Sequence, residues 1–485
     1  MALAPDLVKR TSMVLSWEPM ADLPQDWGSL TDGELGPLLQ FWNDQRADLE
    51  QSGALAEFNK RLGREWSIET GQIEGVYNLD RGLTETLIER GIDSDLIPNQ
   101  PGQKPPEIIA AIIQDHAEVL EGLFQFVKGN RPISKSYIHE LHAALLRHQD
   151  TTAVRDQFGN LFEAKLVKGK YKERPNNPKK PDGSMHQYCP PEHVDSEMER
   201  LLSLHAEHEK KGVPVEIEAA WLHHRFTRIH PYQDGNGRVA RALASLLFIR
   251  AGWFPVVVTR DDRPRYIDAL EAADEGGLSS IVSFFVHLQR RELSDAMRVA
   301  PDTRPIQTVS EAIAAAKRVL HPGRRSDPTI WVNAKDTADR LMEFAANRLE
   351  EIKTMLEIEI GQAGEDANFI TAGPAESSLP ELLPLSYEPN VGAYHESKTL
   401  SLGTRGTGNF FYWAQFTLHA HAIGSKFRGL IGFIPIFSYF GSSKMTSSEP
   451  FQTSYAESYE SAERRFRPWL EESLVNALTL WRKSL

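Results

Sequence analysis

The sequence predicts a mainly α protein, in which a helical domain is followed by a smaller α+β domain. Apolar residues in Ile108–Val127 recur at positions i, i+3 and i+4, the pattern of a helix with one buried face. Similar helical patterns extend from Leu35 to about Leu293. The pattern changes in Phe410–Phe440, where aromatic and β-branched residues partly alternate with polar ones, as they do in strands.

Length and composition narrow the class of protein. The chain has 485 residues, 41% of them hydrophobic, which is typical of globular domains. Its formal net charge of −13 argues against nucleic-acid binding, because that binding needs a basic surface to release counterions. Its single cysteine, Cys189, excludes an intramolecular disulfide and favours a reducing, cytoplasmic location. No stretch has the pattern of a signal peptide or a membrane span, so we expect no membrane contact.

Composition shifts predict the domain organisation. Residues 1–60 form an N-terminal helical region, and residues 61–300 form the main helical core. Pro301–Pro305 marks the start of a linker, residues 301–328, which contains a helix at Val309–Leu320. Residues 329–485 form the α+β domain, and their sequence indicates no role for it.

Local signals predict individual elements. Ser134 can cap a helix that extends over Ser134–His148. Gln157–Pro191 is dense in proline, asparagine, lysine and glycine, which predicts a surface loop or a short hairpin. In the α+β domain we expect helices at Thr337–Ile360 and Ala456–Lys483, and a loop at the serine- and threonine-rich Ser442–Ser454.

The most informative segment is His230–Arg241, which reads HPYQDGNGRVAR. Pro231 ends the preceding helix, a glycine-flanked turn follows, and a new helix begins near Arg238. The free N–H groups and the positive dipole end of such a helix start attract anions, with phosphate as the expected anion. Arg238 and Arg241 lie three residues apart, so both side chains can reach neighbouring phosphates.

Two further residues of this segment suit phosphate chemistry. Asp234 offers a carboxylate that Mg²⁺ can combine with substrate phosphates and water. His230 belongs to the residue type whose ordinary pKa suits general base catalysis. The segment therefore predicts phosphoryl or nucleotidyl transfer, in which catalysis is largely positioning and charge neutralisation.

This segment resembles the signature of the Fic (filamentation induced by cAMP) family, H-x-F-x-[D/E]-G-N-G-R-x-x-R. Every polar and glycine position of the signature is matched, namely by His230, Asp234, Gly235, Asn236, Gly237, Arg238 and Arg241. The one departure is Tyr232, which stands where the signature has phenylalanine. The resemblance covers roughly residues 10–300 and does not extend to residues 301–485.

The resemblance implies a helical domain with a flap hairpin. It also implies the reaction that this domain catalyses. Most Fic proteins transfer AMP from ATP to a Ser, Thr or Tyr hydroxyl of a target protein. By this resemblance His230 is the general base and Asp234 coordinates Mg²⁺ between the α- and β-phosphates. Arg238 would hold those two phosphates, and Arg241 would pair with the γ-phosphate. The anion hole would be formed by the backbone of Gly235 and Gly237 and the side chain of Asn236.

An upstream segment, Thr70–Gly75 (TGQIEG), resembles the inhibitory motif [S/T]-x-x-x-E-[G/N] of many Fic proteins. Its place before the catalytic signature resembles the class II arrangement. Thr70, Glu74 and Gly75 match the fixed positions. By this resemblance Glu74 forms a salt bridge with Arg241, denies that arginine to the γ-phosphate and displaces ATP from its productive pose.

Other polar residues near the signature allow further interpretations. Tyr171, Lys172 and Tyr188 lie in the stretch that resembles the family's flap, where a target docks by strand addition. His223 and His224 could join His230 and Asp234 in a zinc site. However, no H-E-x-x-H pattern occurs, and we interpret both as core histidines.

The sequence thus predicts a self-inhibited protein adenylyltransferase that uses ATP and Mg²⁺. Three alternatives remain open: removal of AMP with Glu74 aligning a water, transfer of another phosphate-linked group, and a nucleotide-binding regulatory module without turnover. The sequence does not identify the target protein, which could be the chain itself. A homo-oligomer also remains open.

Overall fold

A computed structural model gives the fold. It describes residues 17–31, 35–51, 53–155, 161–178, 185–298, 328–360, 367–372, 390–405, 411–423, 428–439, 442–447 and 450–484. The predicted boundary at Pro301–Pro305, the predicted helix at Val309–Leu320 and nearly all of the predicted linker lie outside the described residues.

Helices dominate the first part of the described chain, and strands appear mainly in the last third. The helices are α1 (Leu35–Gln51), α2 (Ala54–Ile73), α3 (Arg81–Arg90), α4 (Pro106–Lys128), α5 (Lys135–Leu145), α6 (Pro191–Lys211), α7 (Val215–Ile229), α8 (Asn236–Arg250), α9 (Arg263–Asp274), α10 (Ser279–Arg298), α11 (Pro328–Glu359) and α12 (Tyr459–Ser484). The strands are β1 (Thr151–Arg155), β2 (Leu161–Lys165), β3 (Ala367–Ala372), β4 (Asn390–Arg405), β5 (Phe411–Ala422), β6 (Leu430–Tyr439), β7 (Ser442–Met445) and β8 (Phe451–Ser454). Short 3₁₀ helices lie at Trp27–Leu30 and Ser94–Leu96. The predicted mainly α class is confirmed.

The chain divides into two compact units. The first comprises Met1–Asp32 and Asn59–Gln289, and the second comprises Gly33–Phe58 and Arg290–Leu485. The predicted regions 1–60 and 61–300 group the residues differently, because α1 packs within the second unit. There the Phe41 ring meets the edge of the Tyr455 ring at a centroid distance of 5.9 Å.

In the first unit, α8 is the central helix. It packs against α4, α5 and α7, and nearly all of its side chains are buried. The predicted cap at Ser134 is confirmed, because its side chain accepts a hydrogen bond from the backbone N–H of Tyr137. The position of α8 matters for the site, because its N-terminus lies where the signature turn ends.

The second unit contains an antiparallel sheet with the strand order β3–β4–β5–β6–β7, in which β8 also pairs with β6. Apolar side chains from the sheet form one buried core with α11 and α12. Phe466 of α12 lies at the centre of this core and contacts Phe433 and Phe451 at ring-centroid distances of 5.2 and 5.1 Å.

The strand predictions were only partly right. The strands expected in Phe410–Phe440 are confirmed as β5 and β6, but the loop expected at Ser442–Ser454 is wrong, because it contains β7 and β8. Serine and threonine suggested a loop by composition. In the structure Phe451 pairs with Phe433, and all of Phe451–Ser454 is buried, so sheet pairing and burial outweigh composition.

Among the described residues, no helix combines the length and the apolar character that a membrane crossing requires.

The aromatic core of the second unit gives a stability prediction. Phe466→Ala should lower the free energy of unfolding by about 3–5 kcal/mol, because it leaves a cavity at a fully buried position. Val475→Ala on the same helix is the control. This side chain is 59% exposed, so its loss should change stability by less than about 0.5 kcal/mol. Urea unfolding measures both variants, and equal losses would contradict the assigned core.

Candidate active site

The loop between α7 and α8 has a defined backbone. His230 ends α7 in the left-handed conformation, with φ of 50°, and its N–H donates to the Phe226 carbonyl at 2.9 Å. Gly235, with φ of 80°, precedes the first residue of α8. The backbone N–H groups of the first turn of α8 have no acceptor within the helix, so they form a potential anion site.

Asn236 stabilises this loop from within. Its Oδ1 accepts a hydrogen bond from the Tyr232 N–H at 2.8 Å, and its Nδ2 donates to the Tyr232 carbonyl at 2.7 Å. The Tyr232 ring is buried and stacks on His142, with ring centroids 3.8 Å apart. The Asn236 side chain thus holds the loop closed, which differs from the expected role in an anion hole.

His230 is held as a neutral imidazole. Its Nδ1 lies 3.2 Å from the Thr227 carbonyl, which can only accept, so Nδ1 carries the hydrogen and Nε2 is the free base. The imidazole stacks on Tyr188, with centroids 3.8 Å apart and planes within 7°. Burial, together with the positive charge of Lys172, lowers the pKa of His230 to about 3. The ring is therefore neutral at physiological pH.

Asp234 is held as a carboxylate at the mouth of the turn. Its Oδ2 accepts hydrogen bonds from Gln149 at 2.8 Å and Thr152 at 2.9 Å. Burial acts to raise its pKa, but the Arg238 guanidinium and these hydrogen bonds outweigh burial and hold the pKa below its usual value. One ionised carboxylate beside a phosphate site fits Mg²⁺, which takes few protein oxygens when phosphates and water supply the others.

Arg238 offers unused hydrogen-bond donors. Its side chain is fully buried, and its Nε and Nη1 have no hydrogen-bond partner among the described residues. Nη2 approaches Asp234 Oδ1 at 3.5 Å. Buried donors without acceptors are costly, and a phosphate oxygen would satisfy them. This arginine therefore fits a bound anion better than an empty site.

Arg241 is bound to the end of α2. Its Nη1 donates to Glu74 Oε1 at 2.8 Å, and its Nη2 donates to the Thr70 carbonyl at 2.9 Å and to Thr70 Oγ1 at 3.0 Å. Its Nε also donates to Thr70 Oγ1, at 3.2 Å. The guanidinium is 1% exposed, so these two residues supply the acceptors for an ion that is removed from water.

The geometry of α2 explains the spacing of its motif. Thr70 and Glu74 lie four residues apart, so they share one helix face and meet one arginine. The N–H groups of Val76 and Gly75 bond the carbonyls of Gly71 and Gln72, the pattern of a Schellman helix end. Gly75 has φ of 67°, a conformation that glycine and asparagine adopt at little cost. The helix therefore ends at Ile73, and Glu74 is its C-cap residue.

Glu74 also lies against the start of α8. A Cβ atom at Gly237 would collide with Glu74 Oε1 and would lie 3.1 Å from Arg241 Nη1. The carboxylate thus lies close to the α8 backbone at the helix N-terminus, where anions are favoured. Only glycine leaves room at position 237 for this approach.

A buried polar network holds the end of α2 in place. The carboxylate of Glu69 accepts hydrogen bonds from the Arg260 N–H at 2.9 Å and from Gln72 Nε2 at 3.0 Å. The Arg260 guanidinium donates to Gln72 Oε1 at 2.7 Å and to Thr84 at 2.9 Å. Burial raises the pKa of Glu69 to about 7. The signature gave no indication of this network.

The residues expected in a flap lie elsewhere. The hairpin is formed by β1 and β2, and Tyr171, Lys172 and Tyr188 all follow it in irregular backbone. Two of them pack instead on the loop between α7 and α8. Tyr188 stacks on His230, and the ring centroids of Tyr171 and Tyr232 lie 5.7 Å apart. Their placement in a strand-adding flap is therefore wrong, because this proline-rich stretch follows the strands.

The histidines weighed as zinc ligands have other partners. His223 Nε2 hydrogen-bonds the Tyr266 hydroxyl at 2.8 Å, and His224 Nε2 lies 3.0 Å from Asp274 Oδ1. Within the described part of the chain, no cluster of three or more histidine, cysteine or acidic residues could hold a metal ion.

Comparison with known proteins agrees with this site. Residues 132–248, which span α5 to the end region of α8, match the family model described as "Fic/DOC family". This part of the chain is therefore similar to the Fic/DOC family. Proteins named "Protein adenylyltransferase Fic" are 35% identical over 114 residues in Drosophila persimilis and 40% identical over 75 residues in Aedes aegypti. These matches cover 22% and 16% of this chain, and the chain spans only 22% and 15% of those relatives.

Two solved structures are also similar to part of this chain. A Fic domain containing signaling protein from Bacteroides thetaiotaomicron is 24% identical, with 56% of this chain and 93% of that chain covered and a TM-score of 0.40. Fic-1 from C. elegans is 20% identical, with 58% of this chain and 72% of that chain covered and a TM-score of 0.38.

The left-handed conformation of Gly75 can be tested with a matched pair of variants. Gly75→Ala should loosen the end of α2 by about 1 kcal/mol, because alanine is strained at this φ, whereas Gly75→Asn should loosen it less. Hydrogen exchange of the Gly75 and Val76 amides measures the opening of this helix end. Equal protection in both variants would contradict the assigned helix cap.

The raised pKa of Glu69 predicts a pH-dependent stability. Its folded pKa of about 7 exceeds the ordinary glutamate value of 4.5, so the folded protein binds more protons between these values and loses stability as pH rises through them. The loss should be on the order of 2 kcal/mol between pH 5 and pH 8. Glu69→Gln should flatten this dependence in urea unfolding, whereas replacement of the exposed Glu57 on the same helix by Gln should not.

Proposed function

We propose that this protein transfers AMP from ATP to a hydroxyl group of a target protein, and that Glu74 holds the site inactive. One observation carries the proposal: Glu74 binds Arg241 in the first turns of α8, in a segment that matches every polar and glycine position of the Fic signature. The relatives named protein adenylyltransferase support the reaction class, although the chain spans less than a quarter of their length.

In the proposed reaction, His230 Nε2 accepts the proton of the target hydroxyl. The hydroxyl oxygen then forms a bond to the α-phosphorus of ATP, the bond from that phosphorus to the bridging α–β oxygen breaks, and pyrophosphate leaves. The Thr227 carbonyl keeps hydrogen on Nδ1, so the free nitrogen is Nε2. Stacking on Tyr188 limits rotation of the imidazole and fixes its direction.

The remaining residues of the loop would neutralise the phosphates. Arg238 has donors available for the α- and β-phosphates, and the free N–H groups of α8 supplement them. Asp234 would hold Mg²⁺, whose charge would offset that of the triphosphate. Arg241 would bind the γ-phosphate once Glu74 has left it.

Glu74 would inhibit the reaction by competing with the γ-phosphate for the buried guanidinium of Arg241. Glu74 supplies an anionic oxygen to Arg241 and to the α8 N-terminus, so an incoming γ-phosphate has to displace it. Removing Glu74 leaves Arg241 buried with fewer acceptors, and this favours an exogenous anion. Without Glu74, the site should therefore bind ATP more tightly and in a different pose.

The target and the cellular setting are also part of the proposal. The acceptor is a protein that carries a Ser, Thr or Tyr hydroxyl, with the chain itself as a candidate. We propose a reducing compartment such as the cytoplasm, because the single cysteine, Cys189, is a buried thiol.

Incubation with ATP and Mg²⁺ tests the proposal. Glu74→Gly should raise self-labelling or target labelling at least about tenfold, because Arg241 becomes available to the γ-phosphate. Adding His230→Ala to that variant should abolish labelling, and adding Arg241→Ala should lower it. Mass spectrometry of intact protein measures the added group, and AMP is the expected mass.

Several controls make this experiment decisive. Chelation of divalent ions should stop labelling in the Glu74→Gly variant. If that variant shows no added mass with any nucleoside triphosphate, the transferase proposal fails. An added mass other than AMP would retain group transfer and reject adenylylation.

A further inference from the structure

Lys172 and Asn176 both hydrogen-bond the loop between α7 and α8, the proposed catalytic loop that contains His230 and Asp234. The backbone N–H of Lys172 donates to the Pro231 carbonyl at 2.8 Å, and Asn176 Nδ2 donates to the Tyr232 carbonyl at 2.8 Å and the Gln233 carbonyl at 3.3 Å. These three acceptors lie between His230 and Asp234. Neither Lys172 nor Asn176 belongs to the signature.

The Lys172 side chain completes this attachment. It is only 5% exposed, which is rare for lysine, and its Nζ donates to Asn176 Oδ1 at 2.8 Å. The ammonium therefore fixes the orientation of the Asn176 amide, because Oδ1 faces the lysine and Nδ2 must face the loop. A buried charge is costly, so its retention at this place needs a local reason.

The same lysine lies beside the wall on which His230 stacks. Its Nζ is 5.7 Å from the centroid of the Tyr188 ring, and that ring lies flat on the imidazole. Tyr188 is itself held by its N–H, which donates to Asn177 Oδ1 at 2.9 Å. Lys172 and Asn176 thus contact the loop backbone, and Tyr188 covers the face of the imidazole.

We propose that Lys172 and Asn176 are positioning residues of this active site, which fix the backbone of the catalytic loop and seat His230 against Tyr188. The residues that shape the active site then include positions about 60 residues upstream of the signature. The kinetic part of this inference rests on the proposed transferase function. The structural part, in which Lys172 influences His230, does not depend on that function.

The charges around His230 predict the direction in which its pKa changes when Lys172 is replaced. Lys172 and His186 disfavour the imidazolium, whereas Asp234 and the Thr227 carbonyl favour it. Because Lys172 is the largest of these charged influences after burial, loss of its charge raises the pKa of His230. A lysine whose charge did not act on the imidazole would leave this titration unchanged when an apolar residue of similar length replaced it.

The experiment compares Lys172→Met, Lys172→Arg and Asn176→Ala in the full chain that carries Glu74→Gly. Lys172→Met and Asn176→Ala should each lower kcat at least about tenfold, with KM for ATP within about twofold, because the loop loses its geometry while the phosphate donors of α8 remain. Lys172→Arg should retain most of kcat. Lys170→Met, an exposed lysine two residues away, is the matched control and should retain full activity.

A second measurement keeps this test separate from the test of the transferase function. Histidine NMR, with His230 identified from its loss in His230→Ala, should show an upward shift of the His230 midpoint in Lys172→Met and little change in Lys172→Arg and Lys170→Met. This result would support the link even if no transfer occurred. An unshifted midpoint in Lys172→Met would overturn it. So would an equal loss of kcat in Lys172→Met and Lys170→Met. If Lys172→Met fails to fold, Asn176→Ala decides through kcat and KM.

Discussion

The arrangement of the active site depends on one buried guanidinium. Arg241 on α8 receives its acceptors from Thr70 and Glu74 at the end of α2, 171 and 167 residues earlier in the chain. An arginine that is 1% exposed needs such acceptors at every donor, because unpaired donors in a dry interior are costly. The same requirement that stabilises the fold therefore places a carboxylate at the start of α8, where a phosphate would bind.

This arrangement explains why the segment Thr70–Gly75 has its particular residue types. A hydroxyl one helical turn before the glutamate reaches the same arginine, and a left-handed residue after it ends the helix. Gly237 on the opposite side leaves the space that the carboxylate occupies. Thr70, Glu74, Gly237 and Arg241 thus meet in one small volume.

The sequence predicted those parts of the molecule that are specified locally. The turn at Gly235, the start of α8 and the cap at Ser134 follow from residue types within a few positions. The contacts of Asn236 and Lys172 were not predicted, because they depend on which backbone groups the folded loop presents to them. The strands β7 and β8 were missed for a similar reason. Their serines and threonines resemble a loop until pairing with β6 supplies their hydrogen-bond partners.

The backbone of His230 carries a separate consequence. Its φ of 50° and ψ of 58° lie in a region that costs a residue with a side chain roughly 1–2 kcal/mol. Glycine or asparagine would fit the end of α7 with less strain, yet neither could accept the proton. The chain therefore gives up part of its folding stability at this residue, and selection for folding alone would replace the histidine. Position 230 is thus a site at which the proposed reaction and folding stability favour different residues.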